Sequence, residues 1–493
     1  MAINKLPLNT AGSQFITLIV TMMLALVYGD AFANSLATQP KTQPNIVLIF
    51  ADDMGYGDIQ AYNPESKIAT PNLNKMAEEG VSFSDAHSSS AVCTPSRYSL
   101  LTGRYAWRTH LKRGVLRGHS PALIESDRTT IASMLKSQGY KTLAVGKWHL
   151  GIGYAETDYW SQLTRGPNSV GFDYFYGIPA SLDMEPYVFI ENESLATPLT
   201  GKIVEASQFR RSDGEGFWRK GLIGDGFDHQ SVLPTLTQKA LEQIQLASKS
   251  ADNKPFFLYY ALPAPHTPWL PSKASQGKSG AGHYGDFVMD VDNLVGQINA
   301  ELDHLGIAEN TIVIYSSDNG AHWTETDKQK YQHYANGKLR GQKADIHEGG
   351  HRVPLIINWP NKFVAGKVSS SLVVLNDLLA TVASITGANV EELASVDSVD
   401  FSSELVSEQA TDYDRGAVIH HSHRGMFAIR KGDWKLVEGQ GSGGFTRVKP
   451  DGQAMQLYNL KEDPAETTNL FEKHPEIAKQ LLAELEKIRS RSY

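Results

Sequence analysis

Asn45-Ile-Val-Leu-Ile-Phe50, followed at once by Ala51-Asp52-Asp53, is the stretch on which the reading of the fold turns. A short apolar run without polar alternation marks a strand buried on both faces. Three more runs of this kind follow, Lys141 to Val145 (KTLAV), Phe256 to Ala261 (FFLYYA) and Thr311 to Tyr315 (TIVIY). Helical patterns separate them. Thr70-Pro71 opens one that Gly80 ends, Thr129 to Gln138 forms a second, and Asp286 to Leu305 forms the clearest, with Val288, Val291, Val295, Ile298, Leu302 and Leu305 on one stripe. Strands alternating with helices predict an α/β fold, a large, mostly parallel sheet sandwiched by helices. A last amphipathic helix, Leu375 to Thr386, precedes an acidic, Ser-rich stretch, Val390 to Gln409. Beyond it come short strand-like pieces at Ala417–His420, Met426–Arg430, Trp434–Val437 and Gln456–Tyr458, then a charged helix over Pro475–Arg489. The expected organisation is therefore a catalytic α/β domain over 44–389 and a smaller C-terminal α+β domain over 390–493, built from an antiparallel sheet and a terminal helix.

The 493 residues are 41% hydrophobic and 20% charged, ordinary globular usage that excludes a disordered, collagen-like or coiled-coil chain. A formal net charge of −8 argues against a nucleic-acid binder relying on a basic surface. The single cysteine excludes an intrachain disulfide and a thiolate zinc cluster. Residues 1–33 read as a signal peptide: Lys5, the apolar run Phe15–Val27, then Ala31-Phe32-Ala33 as a cleavage pattern. That run is shorter than the roughly 20 residues a membrane span needs. An exported protein with no integral span after cleavage is expected.

In an open parallel sheet, ligands bind at the carboxyl ends of the strands. Here each strand runs into polar chemistry: Asp52-Asp53, Lys147-Trp148-His149, His266, and Asp318-Asn319. Asp52, Asp53, Asp318 and Asn319 form an oxygen-only set whose carboxylates repel unless a cation neutralises them, which suits Ca²⁺ or Mg²⁺. Cys93 lies in Cys-Thr-Pro-Ser-Arg97, with Pro95 where a helix can begin; a thiol at a helix N-terminus is expected to have a lowered pKa. His420, His421 and His423 resemble a metal cluster, but they read better as strand-end side chains, with one or two reaching the substrate pocket or all serving a structural role. The aromatic-rich segment Tyr154 to Phe189 reads as packing before it reads as a sugar-stacking surface.

Cys93-Thr-Pro-Ser-Arg97 followed by Leu100-Leu-Thr-Gly-Arg104 resembles the signature of the type I, formylglycine-dependent sulfatases of the alkaline phosphatase superfamily. The resemblance extends to ADDMGYGD at Ala51–Asp58, GKWHLG at Gly146–Gly151, PHTPW at Pro265–Trp269, the Ser317-Asp-Asn-Gly320 run, and GQKADIHEGGHRVP at Gly341–Pro354. It covers nearly all of the chain from Asn45 on. His351 stands where many members carry an apolar residue. The resemblance implies an alkaline-phosphatase-like mixed sheet, conversion of Cys93 to formylglycine by a formylglycine-generating or other sulfatase-maturing enzyme, and one Ca²⁺ held by Asp52, Asp53, the modified Cys93, Asp318 and Asn319. It further implies that Arg97 holds the aldehyde hydrate, Lys147 and Lys343 the sulfate oxygens, His149 helps deprotonate the hydrate, and His266 protonates the leaving alcohol. Ser181, in Gly177–Asp183, resembles a sulfate-side contact.

The chemistry accounts for those residue types. A sulfate monoester is an anion that repels nucleophiles, and cationic groups offset that charge. The expected activity is hydrolysis of sulfate monoesters on sulfated carbohydrates, such as glycosaminoglycan or algal polysaccharide fragments, in the bacterial periplasm or outside the cell. Two other readings stay open on the sequence: a phosphonate monoester or phosphodiester hydrolase of the same superfamily, and an inactive glycan-binding protein.

Overall fold

The computed structural model describes residues 43–491 apart from 156–157, 207–216, 390–396, 410 and 450, together with Met1 and Ala2. The leader expected at 1–33 lies outside the described residues save for those first two. The first strand, β1 (Asn45–Ala51), is buried along its whole length. Its side chains alternate between two cores: Ile46, Leu48 and Phe50 enter one, Val47, Ile49 and Ala51 the other. An alternating pattern of contacts built only from apolar residues is what a strand between two helical layers requires.

Around β1 lie β2 (Val81–Phe83), β3 (Lys141–Lys147), β4 (Tyr174–Ile178), β5 (Ile190–Glu191), β6 (Ser194–Leu195), β7 (Phe256–Ala261), β8 (Thr311–Ser317), β9 (Leu355–Asn358) and β10 (Lys367–Ser369). They form one ten-stranded sheet in the order β10-β2-β9-β8-β1-β7-β3-β4-β5-β6. The central five, β8, β1, β7, β3 and β4, are parallel, and antiparallel strands flank them. The register aligns their carboxyl ends: Ala51 faces Ser317, Phe50 faces Ala261, Ala261 faces Gly146 and Gly146 faces Gly177. The approach is close there. A Cβ on Gly146 would meet the Ala261 carbonyl oxygen at 1.8 Å, and Gly146 itself has φ +121°.

One face is covered by α1 (Pro71–Glu79), α4 (Val232–Ser248) and α5 (Gly282–His304), the other by α2 (Cys93–Thr102), α3 (Ile131–Ser137) and α6 (Leu378–Thr386). The α3 helix starts at Ile131 because Thr130 caps it, accepting from the Ser133 amide. The α5 helix starts four residues before the apolar stripe predicted, since Asp286 is buried to accept from the amides of Gly277 and Ser279.

The C-terminal strands β11 (Val418–His421), β12 (Phe427–Lys431), β13 (Trp434–Val437) and β14 (Gln456–Asn459) make an antiparallel meander. Terminal helix α7 (Pro475–Ser490) packs Ala478, Leu481 and Leu485 on Ile419, Ile429, Leu436 and Leu457, together with Tyr105 and Trp107 from the segment after α2. From Pro44 on, both sheets lie within one compact unit. Within the aromatic-rich segment, Phe172 and Phe175 are core, beside Trp148. No helix among the described residues is long and apolar enough to cross a membrane.

Candidate active site

The aligned strand ends bring Asp52, Asp53, Cys93, Arg97, Lys147, His266, Asp318, Asn319 and Lys343 together in a buried cluster. Asp53 leaves β1 with φ +68°, a left-handed turn that reverses the chain directly at the sheet edge. Its amide donates to Asp318 Oδ1 at 3.1 Å, so the β1 and β8 ends are tied by one carboxylate. Cys93 is the first residue of α2, and all ten residues of that helix are buried. Its Sγ is 3.5 Å from Asp52 Oδ1 and 3.6 Å from Lys343 Nζ. One turn on, Arg97 donates through Nε and Nη2 to Asp318 Oδ2 at 3.0 and 2.8 Å, and Nη2 is 3.7 Å from Asp52.

Each lysine sits on one carboxylate: Lys147 Nζ is 2.7 Å from Asp52 Oδ2, and Lys343 Nζ is 2.7 Å from Asp53. Burial works to raise the Asp52 pKa, but Lys147, His266 and Arg97 outweigh it and hold the group below the ordinary carboxylate value. Burial and Asp52 push Asp318 up. The Lys343 ammonium, though buried, is held charged by Asp53. The thiol departs from the sequence expectation. Burial and Asp318 push the Cys93 pKa up, because the helix N-terminus is outweighed by lost solvation and nearby carboxylates.

The two histidines are oriented by main-chain carbonyls. His266 Nδ1 is 2.6 Å from the Thr267 carbonyl oxygen, and its Nε2 is 3.7 Å from Asp53 Oδ2. His149, at φ +56°, places Nε2 at 2.7 Å from the Leu116 carbonyl oxygen, leaving Nδ1 buried without a partner. Burial and Lys147 hold the His149 pKa well below its ordinary value, so the ring is neutral. Thr94 was not singled out from the sequence; its hydroxyl donates to the His149 carbonyl and accepts from the Leu116 amide, locking both ends of that arrangement. Ser181 is buried in the loop after β4, and among the described residues its hydroxyl has no hydrogen-bond partner, in the cluster or elsewhere.

The donor set fits an oxygen-seeking cation. Asp52, Asp53, Cys93 and His266 each offer an atom within 4.8 Å of the others. Asn319 Nδ2 is spent on Asp53 Oδ1 at 2.7 Å and the Gly320 carbonyl at 3.0 Å, which leaves its Oδ1 buried and without a donor. An orphaned amide oxygen beside three carboxylates is a hard-ion environment. The C-terminal histidines do not gather on one another. His420 instead meets His87 and His351, His421 has both ring nitrogens unpartnered, and His423 is half-buried beside Phe445.

A family model described as Sulfatase matches residues 44–388, and one described as N-sulphoglucosamine sulphohydrolase, C-terminal, matches 342–491. The chain is 33% identical over 491 residues to an N-acetylgalactosamine-6-O-sulfatase of Bacteroides thetaiotaomicron, covering 92% of this chain and 94% of the relative. It is 33% identical to human arylsulfatase A over 92% of this chain and 86% of that one. A solved Bacteroides thetaiotaomicron structure, described with the metabolism of multiple glycosaminoglycans, superposes with a TM-score of 0.81 at 32% identity, covering 92% of this chain and all of the other. With the ten-stranded mixed sheet and the cysteine-centred cluster at its carboxyl edge, these likenesses make the chain a member of the sulfatase family, an enzyme that hydrolyses sulfuric esters.

Proposed function

We propose that the chain is exported and removes sulfate from carbohydrates, using an aldehyde made from Cys93 by a sulfatase-maturing enzyme and a Ca²⁺ held by Asp52, Asp53, position 93, Asp318 and Asn319. The observation that carries this reading is the contact of Cys93 Sγ with both Asp52 and Lys343, inside a cluster of three carboxylates, one orphaned amide oxygen and three cationic side chains. The apolar leader before the compact unit supports export. The relative named for N-acetylgalactosamine 6-O-sulfate supports a sulfated amino sugar, within a glycosaminoglycan, as the first substrate to try.

When present, the hydrated aldehyde supplies a nucleophilic oxygen with a second hydroxyl on the same carbon, and the cation offsets negative charge on sulfate oxygens. The rest falls to the chain's own side chains. Lys147, Lys343 and Arg97 surround the position-93 side chain with positive charge in a largely buried site, where such charge acts strongly. His266 Nδ1–H is committed to the Thr267 carbonyl, so Nε2 is the atom that carries a proton to the leaving alcohol. His149 Nε2–H is committed to the Leu116 carbonyl, so Nδ1 is the atom that takes a proton from the position-93 hydroxyl. Ser181 offers its free hydroxyl to a sulfate oxygen.

Parallel assays on an aryl sulfate and an aryl phosphodiester test the reading. Sulfate turnover should dominate, should vanish on prolonged chelation, and should return with Ca²⁺ better than with Zn²⁺, because the proposed ligands are all oxygen. Preference for the phosphodiester would replace it with the phosphonate or phosphodiester hydrolase. An unmodified Cys93 by intact mass in the native host, with no turnover, would replace it with glycan binding.

A further inference from the structure

Three histidines from separate parts of the chain meet with no solvent exposure: His87, His351 at the end of the helical turn Glu348–His351, and His420 in β11. His87 Nδ1 lies 3.0 Å from His351 Nδ1. The His420 ring stacks on that of His351 at 3.9 Å, with 12° between planes, and is 5.1 Å from that of His87. One ring nitrogen of each lies within 4.8 Å of the other two.

The other nitrogen of each ring faces an oxygen. His87 Nε2 is 2.8 Å from Asp85 Oδ1, His351 Nε2 is 3.1 Å from the Ile346 carbonyl, and His420 Nδ1 is 3.1 Å from the Ser88 carbonyl. Metal-binding imidazoles are held by an outward N–H anchored on a carboxylate or carbonyl; His87 and His420 fit that arrangement as they stand, while His351 Nε2 also lies 3.1 Å from Lys435 Nζ. His420 Nε2 is buried and has no hydrogen-bond partner. Burial keeps all three rings neutral, the form that ligates.

We propose that His87 Nδ1, His351 Nδ1 and His420 Nε2 form a second cation site, separate from the acidic one, that takes a borderline-soft transition ion, with Zn²⁺ as its occupant. Three imidazoles and no carboxylate select against Ca²⁺ and Mg²⁺. Zinc–imidazole bonds of about 2.0–2.1 Å set tetrahedral nitrogens about 3.3 Å apart, close to the spacing of the two Nδ1 atoms. His420 supplies the third nitrogen, within 4.8 Å of the other two. Nearby, Asp85 is held by Arg352 and Arg430, while Glu348 and Glu466 share Lys435 at 3.0 and 2.9 Å, so the charge of the ion is offset by an anionic fourth ligand such as hydroxide. The protons balance as well. Without the ion, His87 Nε2–H donates to Asp85, so His351 Nδ1–H donates to His87 Nδ1 and His351 Nε2 accepts from Lys435 at 3.1 Å. On binding, the His351 proton moves from Nδ1 to Nε2, which donates a hydrogen bond to the Ile346 carbonyl, and Lys435 keeps its two carboxylates. The ion then pins β11 of the C-terminal sheet to the segment before Cys93 and to the turn after Lys343.

The test uses the full enzyme, saturated with Ca²⁺, produced in zinc-supplemented medium and stripped of loose metal by gel filtration. About one zinc per chain should be retained. Its X-ray absorption should report a nitrogen-rich shell at about 2.0–2.1 Å. His420→Ala should lose that zinc and keep aryl sulfate turnover. Zinc held by oxygen alone, no retained zinc, or full retention in folded His420→Ala would overturn the proposal. Should that variant fail to fold, the absorption spectrum of the unaltered enzyme decides by itself.

Discussion

At His266 one ring nitrogen is tied to the next residue's carbonyl and the other faces the acidic cluster. A proton delivered from Nε2 matters only where the leaving alkoxide is a poor one. His266→Ala should therefore slow sugar sulfates by about 10²–10⁴-fold and activated aryl sulfates far less, as kcat on matched substrates would reveal. Equal losses on both would remove His266 from that role. Position 93 separates attack from release. In Cys93→Ser a single hydroxyl keeps its place among Asp52, Lys343 and Arg97, with no second hydroxyl on the same carbon to expel sulfate. Slow single turnover on an activated ester, with a covalent sulfate on the serine peptide by mass spectrometry, is the expected outcome. Sustained turnover by a verified unmodified serine would contradict the mechanism.

Among the elements, the strand ends do the positioning, and Gly146 shows how tightly. With 1.8 Å between its absent Cβ and the Ala261 oxygen, no side chain fits without parting β3 from β7, directly before Lys147. Gly146→Ala should cost at least about 3 kcal/mol by urea unfolding and lower turnover through displaced Lys147 and His149; a change below about 1 kcal/mol would mean that the two strands part easily. The long apolar runs were legible as strands because continuous burial leaves a continuous apolar record, as in β1, β7 and β8. Tyr174–Ile178 was not, since five residues carrying a glycine and three aromatics read as loop packing. Strands of two or three residues, such as β2 and β10, leave too short a pattern. In the site, the residues that follow strands were legible, while the partners that orient them were not. The Leu116 and Thr267 carbonyls are main-chain groups without a sequence signal, and His87, His351 and His420 are joined only by the fold.

Across the whole molecule, buried neutral histidines set the acid response. Burial holds His87, His149, His351 and His420 below their ordinary pKa, and brings His347 to about 3 and His421 to about 4. Below pH 6.5 the unfolded chain takes up protons that these folded sites refuse, so stability is full above 6.5 and is lost as pH falls. Each group contributes up to about 1.4 kcal/mol per pH unit. Glu466 opposes them: burial raises it to about 7, so its contribution is lost as pH rises from 4.5 toward 7. Asp292, Asp318, Asp345 and Asp377, raised by burial, join Glu466, and His229 at about 4 and His423 join the histidines. Eight lowered imidazoles against five raised carboxyls leave a net fall of about 3 kcal/mol per unit between about pH 6 and 5. Urea titrations across that range would measure it, and a flat profile would refute the neutral-imidazole reading.

The complete burial of α2 has a consequence for the order of events in biosynthesis. Cys93 is 2% exposed, at the head of a helix with no exposed residue. Under the proposed conversion of Cys93, a maturing enzyme needs that thiol within reach of its own catalytic groups, and the unfolded or nascent chain is what offers it. Folding and maturation therefore compete for the same interval, and folding closes it. With export as proposed, conversion precedes compaction on the far side of the membrane. Chain refolded from denaturant with its thiol intact should stay inactive when the maturing enzyme is added afterwards, and should gain activity only when that enzyme meets it unfolded. Activation of the already folded thiol form would show that α2 opens far more readily than its packing implies.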